Sequence, residues 1–158
     1  MKTYITYFRY DRGENYSIYN LETSLKRSIK SWKEKDLPSF LSYGPDDVSQ
    51  LYLVKVDLPK TDVEIIKEKS CDRDFYRIMD NIHKNSKEVC STSGDEIWDV
   101  VEFFCKYFRR YIDPDKYMTS IPTDKDELRE VLQEVLFDND DVFDMVLKYY
   151  INEYYNNL

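Results

Sequence analysis

The chain has 158 residues, a length that suits a single domain spanning residues 1–158. A hydrophobic fraction of 42% and an aromatic fraction of 16% exclude a disordered chain. The net charge of −8, without a basic cluster, argues against direct binding of nucleic acid through its phosphates. There is no run of about 18 apolar residues, and the start MKTYITYFRYDRGENY lacks the apolar region of a signal peptide. We therefore expect neither a membrane span nor secretion.

The predicted elements indicate an α+β fold, with a small N-terminal sheet of two to three strands followed by a mostly helical C-terminal part. β-Branched and aromatic residues predict the strands, and apolar residues at helical spacing predict the helices. The predicted strands are 2–10, 16–19 and 51–58. The predicted helices are 20–35, 61–69, 72–84, 94–112, 123–137 and 140–155.

The segments between these elements are assigned from turn residues and helix caps. Residues 11–15 are a predicted turn, and residues 36–50 are a predicted irregular loop with two prolines and a glycine. The segment KNSKEVCSTSGD is a predicted polar loop. Capping boxes are predicted at Thr61 with Glu64 and at Ser93 with Glu96.

All three cysteines and the single histidine of the chain lie between residues 71 and 105. They are Cys71, His83, Cys90 and Cys105, a Cys3His set that could close a tetrahedral zinc shell. The spacing contains neither of the tight ligand pairs that typical zinc motifs have. The alternative is that each cysteine is an ordinary buried residue, because free cysteine behaves as a small apolar side chain. The sequence thus predicts a structural zinc with this alternative open.

Helix geometry restricts which of these residues could share one metal. In an unbroken helix over residues 72–84, Cys71 and His83 would lie about 18 Å apart, at a rise of ~1.5 Å per residue. Either the helix breaks, or the site uses His83, Cys90 and Cys105 with a fourth ligand. Asp80 is the natural substitute because it lies three residues before His83 on the same helix face.

Residue usage points to the compartment and the origin of the chain. Three cysteines without a secretory context favour reduced thiols in a cytoplasm. The chain has no alanine and only three glycines, although alanine is normally common and is the best helix former. We interpret this as codon bias from an AT-rich genome, which favours a phage or prophage protein acting in a bacterial cytoplasm.

The negative charge is concentrated in the C-terminal part. Between Asp113 and Asp144 there are 11 acidic and 3 basic residues. One interpretation is an ordinary solvated helix face. The other is a surface for a basic partner, such as a protein that itself holds nucleic acid, whose encounter would be accelerated by complementary charge. The candidate binding residues are Asp138, Asp140, Asp141 and Asp144.

Catalytic motifs are absent from the sequence. There is no GxSxG, P-loop, GxGxxG or HExxH pattern, and one histidine leaves little scope for general-base catalysis. The prediction is therefore a binding protein and not an enzyme. A thiol or metal-dependent hydrolase that uses a Cys–His pair remains the less favoured alternative.

Taken together, the chain resembles phage-encoded anti-CRISPR proteins that inhibit type II-A Cas9. The resemblance lies in the start MKTYITYFRY, the strand LYLVKVDL, the set Cys71, His83, Cys90 and Cys105, and the acidic C-terminal helices. It implies a non-enzymatic inhibitor that binds Cas9 directly and blocks target DNA loading or cleavage, with zinc in a structural role. The positively charged nucleic-acid channel of Cas9 would suit an acidic inhibitor. The alternative is a phage or mobile-element inhibitor of another host nuclease or defence factor.

Overall fold

A computed structural model describes residues 1–10, 15–43, 46–68 and 73–158. The chain forms two compact units, Met1–Asp95 and Glu96–Leu158. The first unit contains the β-sheet with flanking helices, and the second unit is helical. The predicted α+β class with an N-terminal sheet is confirmed, whereas the predicted number of strands is wrong because the sheet has four strands.

The sheet of the first unit is antiparallel, with the strand order β2-β1-β3-β4. The strands are β1 (Lys2–Tyr10), β2 (Asn15–Glu22), β3 (Ser49–Asp57) and β4 (Lys87–Ser93). Every residue of β1 pairs with a residue of β3, from Lys2 with Asp57 to Tyr10 with Ser49. This long pairing follows from two segments rich in β-branched and aromatic residues, which fit a pleated, half-buried surface.

Two strands differ from the sequence prediction. β4 occupies most of the segment predicted as a polar loop, because its backbone pairs with β3 although its side chains are mostly polar. β2 extends to Glu22, so the helix predicted from Asn20 begins only at Leu25, where the Ser24 side chain accepts a hydrogen bond from the Arg27 amide. In both cases pairing with a neighbouring strand overrides local composition. Residues 11–14 of the predicted turn lie outside the described residues, and Asn15, its last predicted residue, begins β2.

The two faces of the sheet carry different helices. The helices are α1 (Leu25–Ser31), α2 (Leu37–Ser42), α3 (Lys60–Lys67) and α4 (Arg73–Asn85). Ile5 and Tyr7 of β1 lie in one buried cluster with α3 and α4. Phe8 points to the other face, where its ring lies 6.2 Å from that of Phe40 in α2. The unit therefore has helices on both sides of a central sheet.

The helices of the first unit also correct several predicted boundaries. Helical backbone continues from Leu25 through a π-helical turn at Trp32–Asp36 to Ser42, so most of the predicted irregular loop before residue 43 is helix. Residues 44 and 45 of that loop lie outside the described residues. α3 begins at Lys60 after Pro59, which places Thr61 inside the helix and makes the first predicted capping box wrong. α4 matches its prediction within one residue at each end.

The second unit consists of three helices and a short 3₁₀ turn. The helices are α5 (Glu96–Tyr111), α6 (Lys125–Asp138) and α7 (Asp140–Tyr154), with the 3₁₀ turn at Pro114–Lys116. Ser93 belongs to β4, so the second predicted capping box is also wrong. Asp124 caps α6 by accepting a hydrogen bond from the Asp126 amide at 2.8 Å. Apolar residues at helical spacing supply the buried side chains of α5, α6 and α7.

None of the helices in the described parts of the chain has the length and apolar character needed to cross a membrane. The longest of them, α5, has 16 residues and carries acidic and basic side chains at its two ends.

The π-helical turn buries one carboxyl group in the first unit. Asp36 is 5% exposed, and its Oδ2 accepts a hydrogen bond from the Ser31 hydroxyl at 3.0 Å. Burial raises the pKa of Asp36, while the Ser31 hydrogen bond and the Lys35 charge lower it by less. The folded state therefore holds the Asp36 proton more tightly than the unfolded chain does.

The raised pKa of Asp36 predicts that the free energy of unfolding depends on pH. Because the folded pKa is raised, the contribution of Asp36 to the free energy of unfolding falls as pH rises above the ordinary carboxyl value of about 3.9. We expect Asp36→Asn to remove that fall and to be more stable than the wild type at neutral pH. Urea denaturation at several pH values checks this, with the exposed Asp47→Asn as the control. A pH profile for Asp36→Asn parallel to that of the wild type would contradict the prediction.

Candidate functional site

The structure places His83 among tyrosine rings on one face of the sheet. Its Nδ1 lies 3.0 Å from the Tyr7 hydroxyl, near the end of α4. The ring centroids of Tyr52, Tyr7 and Tyr16 lie 5.3, 6.2 and 6.4 Å from that of His83. The only histidine of the chain is thus part of an aromatic cluster that joins α4 to β1, β2 and β3.

Asp80 completes this cluster through a hydrogen bond. The Tyr16 hydroxyl donates to Asp80 Oδ1 at 2.8 Å, so the carboxylate predicted as a substitute zinc ligand already has a partner. Burial and then the Asp80 hydrogen bond raise the pKa of Tyr16 to about 12, and burial raises the pKa of Tyr7 above its usual range. Both phenols are therefore neutral hydrogen-bonding groups at physiological pH.

The strand register places Cys90 on the opposite face of the sheet from His83. Cys90 in β4 pairs with Leu53, and Leu53 pairs with Thr6 of β1. Directly paired residues point to the same face, and neighbours along a strand point to opposite faces. Thr6 therefore points away from the face on which Tyr7 meets His83. The sheet does not bring the Cys90 thiol to the His83 ring.

The remaining predicted ligands are Cys71 and Cys105. Cys71 falls outside the described residues. Cys105 lies on α5 in the second unit, where it lines a cavity of about 880 Å³, and burial raises the pKa of its thiol. Across residues 1–10, 15–43, 46–68 and 73–158, no group of three or more His, Cys, Asp and Glu side chains is arranged to hold a metal ion. The zinc site stays a prediction, and the described residues do not assemble it.

The four predicted partner-binding aspartates are exposed and close together along the chain. Asp138 ends α6, while Asp140 and Asp141 begin α7 and Asp144 follows one turn later. Asn139 alone separates the two helices, and its side-chain amide donates to the Val135 carbonyl at 2.8 Å. We call Phe137, Asp138, Asp140, Asp141 and Asp144 the α6–α7 acidic surface.

Helix dipoles explain only part of this surface. Asp140 and Asp141 lie at the positive N-terminal end of α7, where an acidic residue stabilises by roughly 0.3–1 kcal/mol. Asp138 lies in the last turn of α6, which contains no basic residue, so its charge is unfavourable there. Asp140 and Asp144 are an i,i+4 pair of like charge, which is destabilising, whereas Asp144 and Lys148 are a favourable i,i+4 pair. Folding stability therefore does not account for Asp138.

An exposed phenylalanine lies within this acidic surface. Phe137 is 40% exposed and directly precedes Asp138, and its ring centroid lies 6.3 Å from that of Phe143, which is 9% exposed. Interfaces commonly combine an apolar anchor that is desolvated on binding with a polar rim. The surface thus offers both charge and one apolar contact.

The net charge of the chain belongs to the second unit. Met1–Asp95 contains 16 acidic and 16 basic residues, whereas Glu96–Leu158 contains 15 acidic and 7 basic residues. The helical unit therefore carries the whole formal net charge of −8.

Comparisons with protein-family models, with curated proteins and with solved structures find no match to this chain. Functional inference therefore rests on the residues and their arrangement.

Sequence analysis missed two features that the fold creates. The tyrosines around His83 come from three separate strands, and only the strand register shows that they meet. The cavity beside Cys105 depends on how α5, α6 and α7 pack, which no local pattern specifies. Phe137 could have been found, because it lies outside the apolar stripe of α6 and directly precedes the acidic run.

The separation of His83 from Cys90 makes a prediction about zinc. We expect that at most one of the two variants His83→Gln and Cys90→Ser lowers the zinc content of the protein, because the sheet lies between the two side chains. Elemental analysis of protein purified without a histidine tag measures this, and Cys105→Ser provides the comparison from the second unit. Loss of about one zinc per chain in both variants would contradict the register and restore the Cys3His site.

Proposed function

We propose that this protein is a non-enzymatic inhibitor that binds a basic nucleic-acid-handling protein through its α6–α7 acidic surface. Type II-A Cas9 is the first candidate partner, as the resemblance to phage-encoded anti-CRISPR proteins implies. In this proposal the inhibitor blocks target DNA loading or cleavage by occupying positively charged surface that otherwise holds nucleic acid. The protein acts in the cytoplasm of a bacterial host.

The observation that carries the proposal is the grouping of four exposed aspartates within the seven residues that directly follow the exposed Phe137. Asp138 opposes the stability of α6, so an external role explains this charge better than folding does. Complementary charge accelerates encounter with a basic protein and disfavours acidic competitors. The exposed ring provides a contact that keeps its value when salt screens the charges.

The arrangement of His83 supports a binding role over a thiol hydrolase. A thiol nucleophile needs its base within hydrogen-bond reach. The register places Cys90 on the other face of the sheet from His83, and the Tyr7 hydroxyl already meets His83 Nδ1 at 3.0 Å. The pKa of Cys105 is raised, which disfavours the reactive thiolate. Zinc has no step in the proposed inhibition.

Neutralising the acidic surface tests the proposal. We expect replacement of Asp138, Asp140, Asp141 and Asp144 by Asn to weaken binding to guide-loaded Cas9 by about tenfold or more, at roughly 0.2–1 kcal/mol per charge pair. The loss should shrink at high salt, because screening already weakens the wild-type contact. Binding is measured by biolayer interferometry at low and high salt, together with inhibition of DNA cleavage.

A matched control separates local from overall charge. Neutralising Asp115, Glu127, Glu130 and Glu134 changes the net charge of the same unit by the same amount at exposed positions outside the acidic surface. This control should bind almost as tightly as the wild type. Equal weakening in both quadruple variants would show a general charge effect, and unchanged affinity in the surface variant at low salt would place the interface elsewhere.

A further inference from the structure

The strand β2 (Asn15–Glu22) forms one edge of the four-stranded sheet, because the strand order is β2-β1-β3-β4. In an antiparallel ladder, part of the backbone N–H and C=O groups of an edge strand point away from its single neighbour. Within the described parts of the chain, no backbone group from outside the sheet forms a hydrogen bond with β2. The outer edge of β2 is therefore a row of donors and acceptors with which a further strand can pair.

The two edge strands of the sheet differ in their protection against such pairing. β4, at the opposite edge, carries the exposed charges of Lys87 and Glu88, and a register shift next to Glu88 interrupts its ladder with β3. Charged side chains and bulges are common means of blunting an edge. β2 also has a register shift, at Tyr19, but its residues 15–21 carry no charge. β2 is therefore the less protected of the two edges.

Cavities lie beside β2 on both faces of the sheet. On the face of α3, a cavity of about 180 Å³ is lined by residues 18–21 of β2 together with Ile66 and Lys67. On the face of α2, a cavity of about 300 Å³ has mostly aromatic walls, lined by Phe8, Ser17, Tyr19, Phe40, Tyr43 and Ser49. The side chains of an added strand alternate between the two faces. This edge thus offers backbone partners and space for side chains on both sides, as sites of strand addition do.

We infer that the strand that pairs with this edge is β2 of a second copy of the chain, in antiparallel orientation, so that two four-stranded sheets join into one. A twofold axis makes such a contact self-complementary, because both copies present the same strand. The uncharged residues 15–21 then face one another. The two Glu22 carboxylates lie at opposite ends of the pair, where they do not repel each other closely.

Formal charge favours a second copy over the basic partner of the proposed function. Met1–Asp95 contains equal numbers of acidic and basic residues, so two first units meet without net repulsion. The cavity on the face of α3 is lined by one charged residue, Lys67, whose charge disfavours a basic strand. Pairing through β2 is independent of the proposed function, and the pair carries two α6–α7 acidic surfaces, one from each copy.

Sedimentation velocity of the full chain, from low to high micromolar concentration, tests this pairing. The measurement uses moderate salt, which screens the repulsion between the two acidic units. We expect a reversible shift from a mass of 19.2 kDa towards twice that mass. Hydrogen–deuterium exchange of the same protein at the two ends of the concentration range then locates the contact. Amides of Asn15–Glu22 should exchange more slowly at high concentration, because outward N–H groups gain partners, whereas those of β4 should not change.

A matched pair of variants distinguishes the two edges. Ser17 in β2 and Ser91 in β4 are both exposed, so lysine fits at either position with little effect on the fold. Ser17→Lys should raise the dissociation constant of the dimer about tenfold or more, because the twofold brings two lysines to the contact. Ser91→Lys makes the same change at the other edge and should dimerise like the wild type. Circular dichroism checks that both variants fold, and the exchange data on the wild type need neither variant.

Three results would overturn the inference. The first is a single species of 19.2 kDa at every concentration. The second is concentration-dependent protection that lies outside β2, or equal weakening of the dimer in both lysine variants. The third is protection of β2 by added guide-loaded Cas9 but not by a high concentration of the chain alone, which would assign this edge to Cas9.

Discussion

The pairing of β1 with β3 is the constraint on which the rest of the first unit depends. All nine residues of β1 are paired, so the alternation of side chains is fixed along the whole centre of the sheet. A shift by one residue would move every side chain to the other face. This register sends Tyr7 towards His83 and, through Thr6 and Leu53, sends Cys90 away from it. A zinc shell that contains both His83 and Cys90 would therefore have to join side chains from opposite faces of the sheet.

The two units differ in formal charge as clearly as they differ in secondary structure. The sheet-containing unit is neutral in formal charge, and the helical unit carries the excess of acidic residues. Within the helical unit, four exposed aspartates follow one exposed phenylalanine at the junction around Asn139. The chain tolerates like charges at the end of α6 and along α7, although both are unfavourable for the helices. A basic partner would relieve that repulsion on binding.

The sequence predicted what depends on local pattern and missed what depends on tertiary pairing. The periodicity of Phe75, Ile78, Met79 and Ile82 located α4 closely, and the exposed aspartates lie where the charge run placed them. β4 was assigned to a loop because Lys87–Ser93 is mostly polar, and only its hydrogen bonds to β3 make it a strand. Proximity along the chain groups His83 with Cys90, and only the strand register shows that the two side chains lie on opposite faces of the sheet.

The most direct test of the central claim is hydrogen–deuterium exchange of the full chain, alone and in complex with guide-loaded Cas9. We expect slower exchange on binding at the end of α6 and the first turns of α7, the segment from Phe137 to Asp144. We expect little change in β1 and β3, whose backbone is already paired. Protection confined to the first unit, or no protection at any segment, would contradict the claim that the acidic surface is where this protein meets its partner.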